Sequence, residues 1–233
     1  MKQTQLLLLI TIMTFVACKN EKTSQNKNNS IEAQPIQVDL KNGWEKRLKY
    51  VGIVIEDDNY HIWGSSPIWD DAGKVHVFAA RMPVVSGFKY WYATSQIAHY
   101  VADRSEGPFK FVEVLLEPGQ SAPGSWYIGA QHNPTITKID NLFVLTYHSN
   151  AATMEQRAKK SHKIGMMTSK NLNVPWKKVG IVLSPPAEND TTIWSHKHAG
   201  GIDNPLLVKN TDGKYYLYYR AKWKGLEGDN TYF

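Results

Sequence analysis

Ser65, His132 and Asp203 occupy the same place in a repeated motif, two residues before a proline that opens a strand-like run. The prolines, at positions 67, 134 and 205, recur at spacings of 67 and 71 residues. Carboxylates and imidazoles perform most acid–base chemistry in proteins, because their surroundings can move their pKa values toward the working pH. If the repeat is structural, these three side chains lie on one ring around a common space. Of the three side chains, only Asp203 is a carboxylate.

The repeat predicts an all-β fold of the β-propeller type. Its runs are rich in Val, Ile, Tyr, Phe and Trp and are separated by turn residues such as Asp-Asp-Ala-Gly. We expect strands near 65–70, 74–82, 95–103 and 109–116, then near 132–138, 141–148, 163–169 and 176–183, and finally near 204–209 and 214–221. Four strands in a unit of long period are typical of a propeller blade. About two and a half blades are expected, near 50–120, 121–190 and 191–233.

The N-terminal residues predict export and a lipid anchor. Lys2 precedes an apolar run, Leu6 to Val16, that is too short to span a membrane. Phe15-Val16-Ala17-Cys18 resembles a bacterial lipobox, and Cys18 is the only cysteine. We therefore expect a lipoprotein signal peptide at 1–17, lipidated Cys18 with a polar tether at 18–40, and the partial propeller at 41–233. An ordinary secretory signal is the alternative.

The sequence also bears on location and partners. Lys rather than Asp follows Cys18, which in bacterial sorting signals favours the outer membrane, so we expect a protein anchored in the bacterial cell envelope. The net charge of +6 predicts either a mildly basic, solvated surface or attraction to an acidic polysaccharide. Nucleic acid is not expected as a partner, because the chain is exported and its basic runs are short. No partner protein is evident.

The motifs resemble the first three blades of five-bladed propeller glycosidases. Trp63-Gly64-Ser65-Ser66-Pro67, His132-Asn133-Pro134-Thr135-Ile136 and Ile202-Asp203-Asn204-Pro205-Leu206 carry the resemblance, together with the glycine turns that follow them. The group is the arabinanase, levansucrase and invertase superfamily, and the chain is most similar to glycoside hydrolase family 43 and its relatives. The resemblance covers about residues 50–225.

The resemblance implies a funnel with acids at the starts of the inner strands. One Asp acts as general base, a second Asp tunes pKa values and orients the sugar, and a Glu of a later blade is the general acid. Asp203 matches the supporting Asp, and the resemblance therefore makes it the best single catalytic candidate. Ser65 stands where the base is usual, and the Glu is expected beyond Phe233. The candidate substrate-binding residues are Trp63, Ser65, Arg81, His132, Asn133, His198, Asn204 and Arg220.

Other acids and histidines are expected to have simpler roles. Asp70 and Asp71 fall in a hairpin turn, and Glu106 in a surface turn. His196 and His198 have a spacing that metals accept, but no third ligand accompanies them, so no metal site is expected. We expect no cofactor, and nothing in the sequence supports calcium.

Three interpretations remain open from the sequence. The first is an exported, lipid-anchored glycoside hydrolase, represented here by its N-terminal part, that acts on a plant or algal polysaccharide or its oligosaccharides. The second is a non-catalytic glycan-binding lipoprotein on the same scaffold, which Ser65 in place of an acid favours. The third is a fragment that exposes an unpaired sheet edge and aggregates.

Overall fold

Ten strands in three antiparallel sheets form the part of the chain that the structure describes. This computed structural model describes residues 50–119, 129–151, 153, 162–173, 175–185 and 201–221. The first sheet contains β1 (Tyr60–Trp69), β2 (Val75–Pro83), β3 (Gln96–Ala102) and β4 (Lys110–Leu116). The second contains β5 (Gln131–Ile139), β6 (Leu142–Ser149), β7 (Lys163–Ser169) and β8 (Lys177–Leu183). The third contains β9 (Ile202–Lys209) and β10 (Tyr215–Ala221).

The strands of each sheet are paired in chain order, and the first strands of the three sheets lie side by side. Thr135 and Thr137 on β5 donate side-chain hydrogen bonds to the backbone carbonyls of Pro205 and Leu207 on β9, at 2.6 and 2.9 Å. On the other side of β5, the Ile136 N–H donates to Ser66 Oγ on β1 at 3.1 Å. Successive four-stranded meanders that meet along their first strands are blades of a propeller. The prediction of an all-β, partial propeller is therefore confirmed.

The turn ends of the first strands are tied together across the sheets. Lys138 pairs with Asp71 of the preceding sheet at 2.8 Å, and Lys209 pairs with Asp140 of the sheet before it. Asp70 stabilises the turn between β1 and β2, because its Oδ1 accepts hydrogen bonds from the N–H groups of Ala72 and Lys74. The predicted hairpin role of Asp70 is thus confirmed, and the exposed Glu106 lies in a turn as expected.

The main core lies between the first two sheets. The apolar runs of β2, β3 and β6 are almost wholly buried, which their Val, Ile, Leu and Phe content predicts. The core consists of the buried side chains Phe78, Ile97, Leu116, Ile136, Phe143, Leu145, Tyr147, Met167 and Leu172. Trp176 packs on its edge and meets Phe78 at a ring-centroid distance of 5.4 Å. We call β1, β5 and β9, the first strands of the three sheets, the innermost strands. This core fixes β1 and β5 relative to each other.

Two buried histidines form a polar line across the first sheet. His76 Nε2 lies 3.3 Å from Asp70 Oδ2, and His76 Nδ1 lies 2.7 Å from His99 Nε2. Because an ionised carboxylate only accepts, the Asp70 contact places a proton on His76 Nε2. His99 Nδ1 faces Glu113 Oε1 at 3.7 Å. Burial, and then the neighbouring His76, lowers the pKa of His99 to about 4.

The prediction that Arg81 contacts substrate was wrong. Arg81 is only 6% exposed. Its guanidinium lies between the Tyr60 and Phe111 rings, 4.0 and 4.3 Å from their centroids. A buried cation is held there by aromatic faces and hydrogen bonds.

No helix among the described residues is long and apolar enough to cross a membrane.

Candidate active site

Each innermost strand carries the same β-bulge near its start. In β1 the register moves from Trp63 opposite Ala80 to Ser66 opposite Phe78. β5 and β9 show the same step, with two residues facing one on the partner strand. The first bulged residue has a left-handed backbone in each case, namely Gly64 at φ 55°, Asn133 at φ 43° and Asn204 at φ 51°. Bulges of this kind redirect the neighbouring side chains.

The bulge corrects the alignment of the three innermost strands. The residue before the left-handed position is His132 in β5 and Asp203 in β9, but Trp63 in β1. Ser65, which the proline spacing paired with His132 and Asp203, lies within the bulge itself. The proline alignment is therefore wrong by two residues in β1, because the bulge there falls two residues earlier relative to the proline. A tryptophan, and not a hydroxyl, completes the ring of equivalent positions.

The bulged residues also bring the three strands into contact. Asn133 Nδ2 donates to Asn204 Oδ1 on β9. On the other side, a Cβ added to Gly64 would collide with the Asn133 side chain, and its positive φ also favours glycine. The predicted substrate-binding residues Asn133 and Asn204 therefore join neighbouring strands here. These contacts hold the bulge of β5 between the bulges of β1 and β9.

Asp203 is an ionised, almost inaccessible carboxylate. Its side chain is 1% exposed, and Arg220, directly opposite on β10, donates from Nε to Oδ1 at 2.6 Å and from Nη2 to Oδ2 at 2.7 Å. His162 Nδ1 lies 3.8 Å from Asp203 Oδ2. Burial alone would raise the Asp203 pKa, but hydrogen bonding by His162 and Arg220 and the positive potential of His148 and Arg220 hold it far below its ordinary value. Asp203 is unsuited to donating a proton.

His132 is a neutral imidazole with an assignable tautomer. Ser95 Oγ donates to the Gln131 carbonyl at 2.9 Å, so the Ser95 oxygen accepts from His132 Nδ1, 2.8 Å away. The proton of neutral His132 is therefore on Nδ1, and Nε2 carries the lone pair. Burial, and then nearby His162, lowers the His132 pKa to about 4, although Asp203 opposes this shift. At neutral pH His132 Nε2 is therefore a hydrogen-bond acceptor.

Trp91 covers a cluster of three histidines beside Asp203. Its ring centroid lies 4.9 Å from that of His132, 6.4 Å from that of His148 and 6.2 Å from that of His162. His148 stands opposite His132 on the neighbouring strand and stacks on His162 at 5.2 Å. Trp91 begins the short helix α1 (Trp91–Thr94), which lies with two 3₁₀ turns, Val84–Ser86 and Phe88–Tyr90, in the segment that joins β2 to β3.

The structure brings some of the predicted residues together and not others. Asp203, His132, Arg220, Asn133, Asn204 and Trp63 meet at the bulge ends of the innermost strands. Arg81 is not among them, because its donors point to Gln96 and Tyr100 within the first sheet. His198 and Cys18 lie outside the described residues. Ser95, Trp91 and His162 were not predicted, although the run Phe88-Lys89-Tyr90-Trp91-Tyr92, with four aromatic residues in five, marked an unusual loop.

The arrangement is a polar, preorganised cluster of buried side chains. It offers the carboxylate of Asp203, the guanidinium of Arg220 and the neutral imidazole of His132 beneath the Trp91 ring. Such a set orients hydroxyl groups by donating and accepting hydrogen bonds at fixed places. No group of three His, Cys, Asp or Glu side chains in the described ranges is placed to hold a metal ion.

Comparison with solved structures identifies the class of fold. A family 117 glycoside hydrolase from the marine bacterium Zobellia galactanivorans matches 71% of this chain and 49% of its own, at 16% identity and a TM-score of 0.54. An exo-1,5-α-L-arabinanase from a bovine ruminal metagenomic library matches 71% and 51%, at 18% identity and a TM-score of 0.46. A family 43 β-xylosidase/α-arabinofuranosidase from a compost metagenome matches 71% and 45%, at 18% identity and a TM-score of 0.45.

These enzymes are five-bladed β-propellers, and the chain has the fold of part of such a propeller. It spans about half the length of the solved structures that it matches. Comparisons with protein-family models and with curated proteins found no match.

Proposed function

We propose that this chain is part of a glycoside hydrolase that cleaves glycosidic bonds in a polysaccharide or its oligosaccharides. The observation that carries the proposal is Asp203, a buried carboxylate at the bulge of an innermost propeller strand, whose pKa is held far below its ordinary value. Burying a carboxylate costs free energy of solvation. Here that loss is offset by the bidentate hydrogen bonds from Arg220 and by nearby His162. Such an arrangement is expected where a fixed negative charge is needed for function.

Asp203 suits the supporting role that the family resemblance assigns to it. Glycosidic cleavage needs a protonated acid at the leaving oxygen and a base or nucleophile on the opposite face. Asp203 stays ionised, so it serves by holding Arg220 and His162 in place and by stabilising positive charge that develops on the sugar ring. His132 Nε2 accepts a hydrogen bond from a sugar hydroxyl group. In the described part of the chain no second carboxylate occupies a bulge position.

A glycan-binding protein without hydrolytic activity is the second candidate. Trp63 occupies the position in β1 that is equivalent to the position of Asp203 in β9. A tryptophan at this position, in place of an acid, favours binding over hydrolysis. For either function we propose export, a lipid anchor at Cys18 and attachment to the bacterial cell envelope at the outer membrane. The apolar run before Cys18 supports these proposals.

The proposed activity is tested by incubating the purified full-length protein of which this chain is a part with arabinan, xylan and agar and with their tetrasaccharides. We expect release of reducing ends from one of these classes, because the propeller site is built around a fixed carboxylate. Binding of a tetrasaccharide without release of sugar would replace hydrolysis by the glycan-binding function. Neither binding nor release for any of them would overturn both.

A further inference from the structure

An exposed aromatic surface lies beside the candidate site. Trp63 is 52% exposed and Phe88 is 46% exposed, and their ring centroids lie 5.7 Å apart at an interplanar angle of 52°. His61, two residues before Trp63 on the same face of β1, meets the edge of Phe88 at 5.8 Å. We call Trp63, Phe88 and His61 the aromatic platform. Half-exposed aromatic rings in contact provide an apolar face with polar surroundings, which marks binding surfaces.

Exposure alone does not distinguish Trp63, since Trp69 at the other end of β1 is 55% exposed. Position does distinguish it. Trp63 holds the bulge position equivalent to His132 and Asp203, and Gly64 next to it contacts Asn133 on β5. The platform is therefore continuous with the candidate site on the side of β1, whereas Trp69 lies six residues away, roughly 20 Å along the strand.

The segment between β2 and β3 holds the platform and the site together. The Val84 N–H donates to the Asn59 carbonyl at 2.8 Å, which anchors the start of the segment beside β1. At its other end, the Gln131 N–H of β5 donates to the Ser95 carbonyl at 3.0 Å. Between these anchors Phe88 packs on Trp63, and Trp91 packs on His132. One short, doubly anchored segment thus contributes one aromatic ring to each place.

We propose that Trp63 and Phe88 bind a second sugar ring next to the ring held at Asp203 and His132, so that the ligand is an oligosaccharide. The inference rests on the proposed function for its carbohydrate class. The apolar C–H face of a pyranose or furanose ring removes aromatic surface from water when it stacks, and its hydroxyls remain hydrated at the rim.

Calorimetric titration of the full 233-residue chain tests this inference. The probes are arabinotetraose, xylotetraose and agarotetraose, each compared with its monosaccharide. Trp63→Ala and Phe88→Ala are each expected to weaken binding of the tetrasaccharide that binds best by about tenfold. Monosaccharide binding should stay within about twofold, because the first ring lies at Asp203 and His132. Trp69→Ala is the matched control and should change neither.

Several outcomes would overturn the inference. One is that Trp63→Ala and Phe88→Ala weaken monosaccharide and tetrasaccharide binding equally, or weaken neither. Another is that Trp69→Ala weakens tetrasaccharide binding as much as they do. A third is that the unaltered chain binds no tetrasaccharide. Thermal melting of each variant checks that it is folded, and Phe88→Ala remains informative if Trp63→Ala is not. Platform-dependent binding without hydrolysis would reject the proposed activity but keep the platform. Hydrolysis without platform dependence would reject the platform alone.

Discussion

Asp203→Asn is expected to lower kcat/KM for glycoside hydrolysis by about 10²- to 10⁴-fold. The asparagine keeps the size of the side chain but removes the charge that holds Arg220 and His162. Arg220 then loses its two-pronged partner, and the positive charge that develops on the sugar loses its fixed counter-charge. Initial rates of the full-length protein, with and without the substitution, on its best substrate measure the effect.

Asp212→Asn is the matched control for Asp203→Asn. Asp212 lies in the exposed turn of the same sheet, where it accepts from the Tyr216 hydroxyl at 3.0 Å. Its change should leave kcat/KM within about twofold. An Asp203→Asn variant that is folded and as active as the unaltered chain would remove Asp203 from the mechanism.

The free energy of unfolding should fall between pH 6.5 and pH 4, because buried imidazoles stay neutral in the folded state. The pKa values of His99 and His132 are both lowered to about 4 by burial first, and then by a neighbouring histidine. In the unfolded chain a histidine takes up a proton below about pH 6.5, so acid favours unfolding. This stability is fully present above pH 6.5 and is lost as the pH falls to about 4, at up to roughly 3 kcal/mol for each histidine.

Urea denaturation at pH 7.0 and pH 4.5 measures the loss of stability. His99→Phe should flatten the pH dependence by about half, although it also leaves His76 without its 2.7 Å partner and so lowers stability at pH 7. Trp69→Ala, which changes an exposed side chain on β1 that carries no titratable group, should leave the pH dependence as it was. A curve for His99→Phe that parallels the unaltered chain would mean that His99 does not carry the effect.

The strands were predictable because each depends on local pattern. β-branched and aromatic runs, glycine turns and the 67-residue spacing placed nearly every strand within two residues of its observed bounds. β1 is the exception, since it begins at Tyr60 and not near 65. A bulge lets the strand continue past Gly64 with a shifted register, and a bulge has no reliable signature in a single sequence.

The site was predictable only in part. Asp203 and His132 follow from the proline spacing, because their bulges have the same offset from the proline. Trp63 replaces Ser65 at the third position because the bulge of β1 falls two residues earlier. His162 and Trp91 come from loops whose paths depend on tertiary packing, and the sequence carries no periodic signal for them. Arg81 was wrongly predicted to bind substrate, because the alternation of residues along a strand does not reveal a buried hydrogen-bond partner such as Gln96.

The central claim is that carbohydrate binds at the bulge ends of the innermost strands, where Asp203 and the three roofed histidines lie. Imidazole nitrogen resonances, recorded on chain labelled with ¹⁵N-histidine while the best-binding tetrasaccharide is added, test it most directly. The account predicts that His132, His148 and His162 shift, whereas His76 and His99, buried within the first sheet, do not. Saturating binding that leaves His132, His148 and His162 unchanged would contradict it.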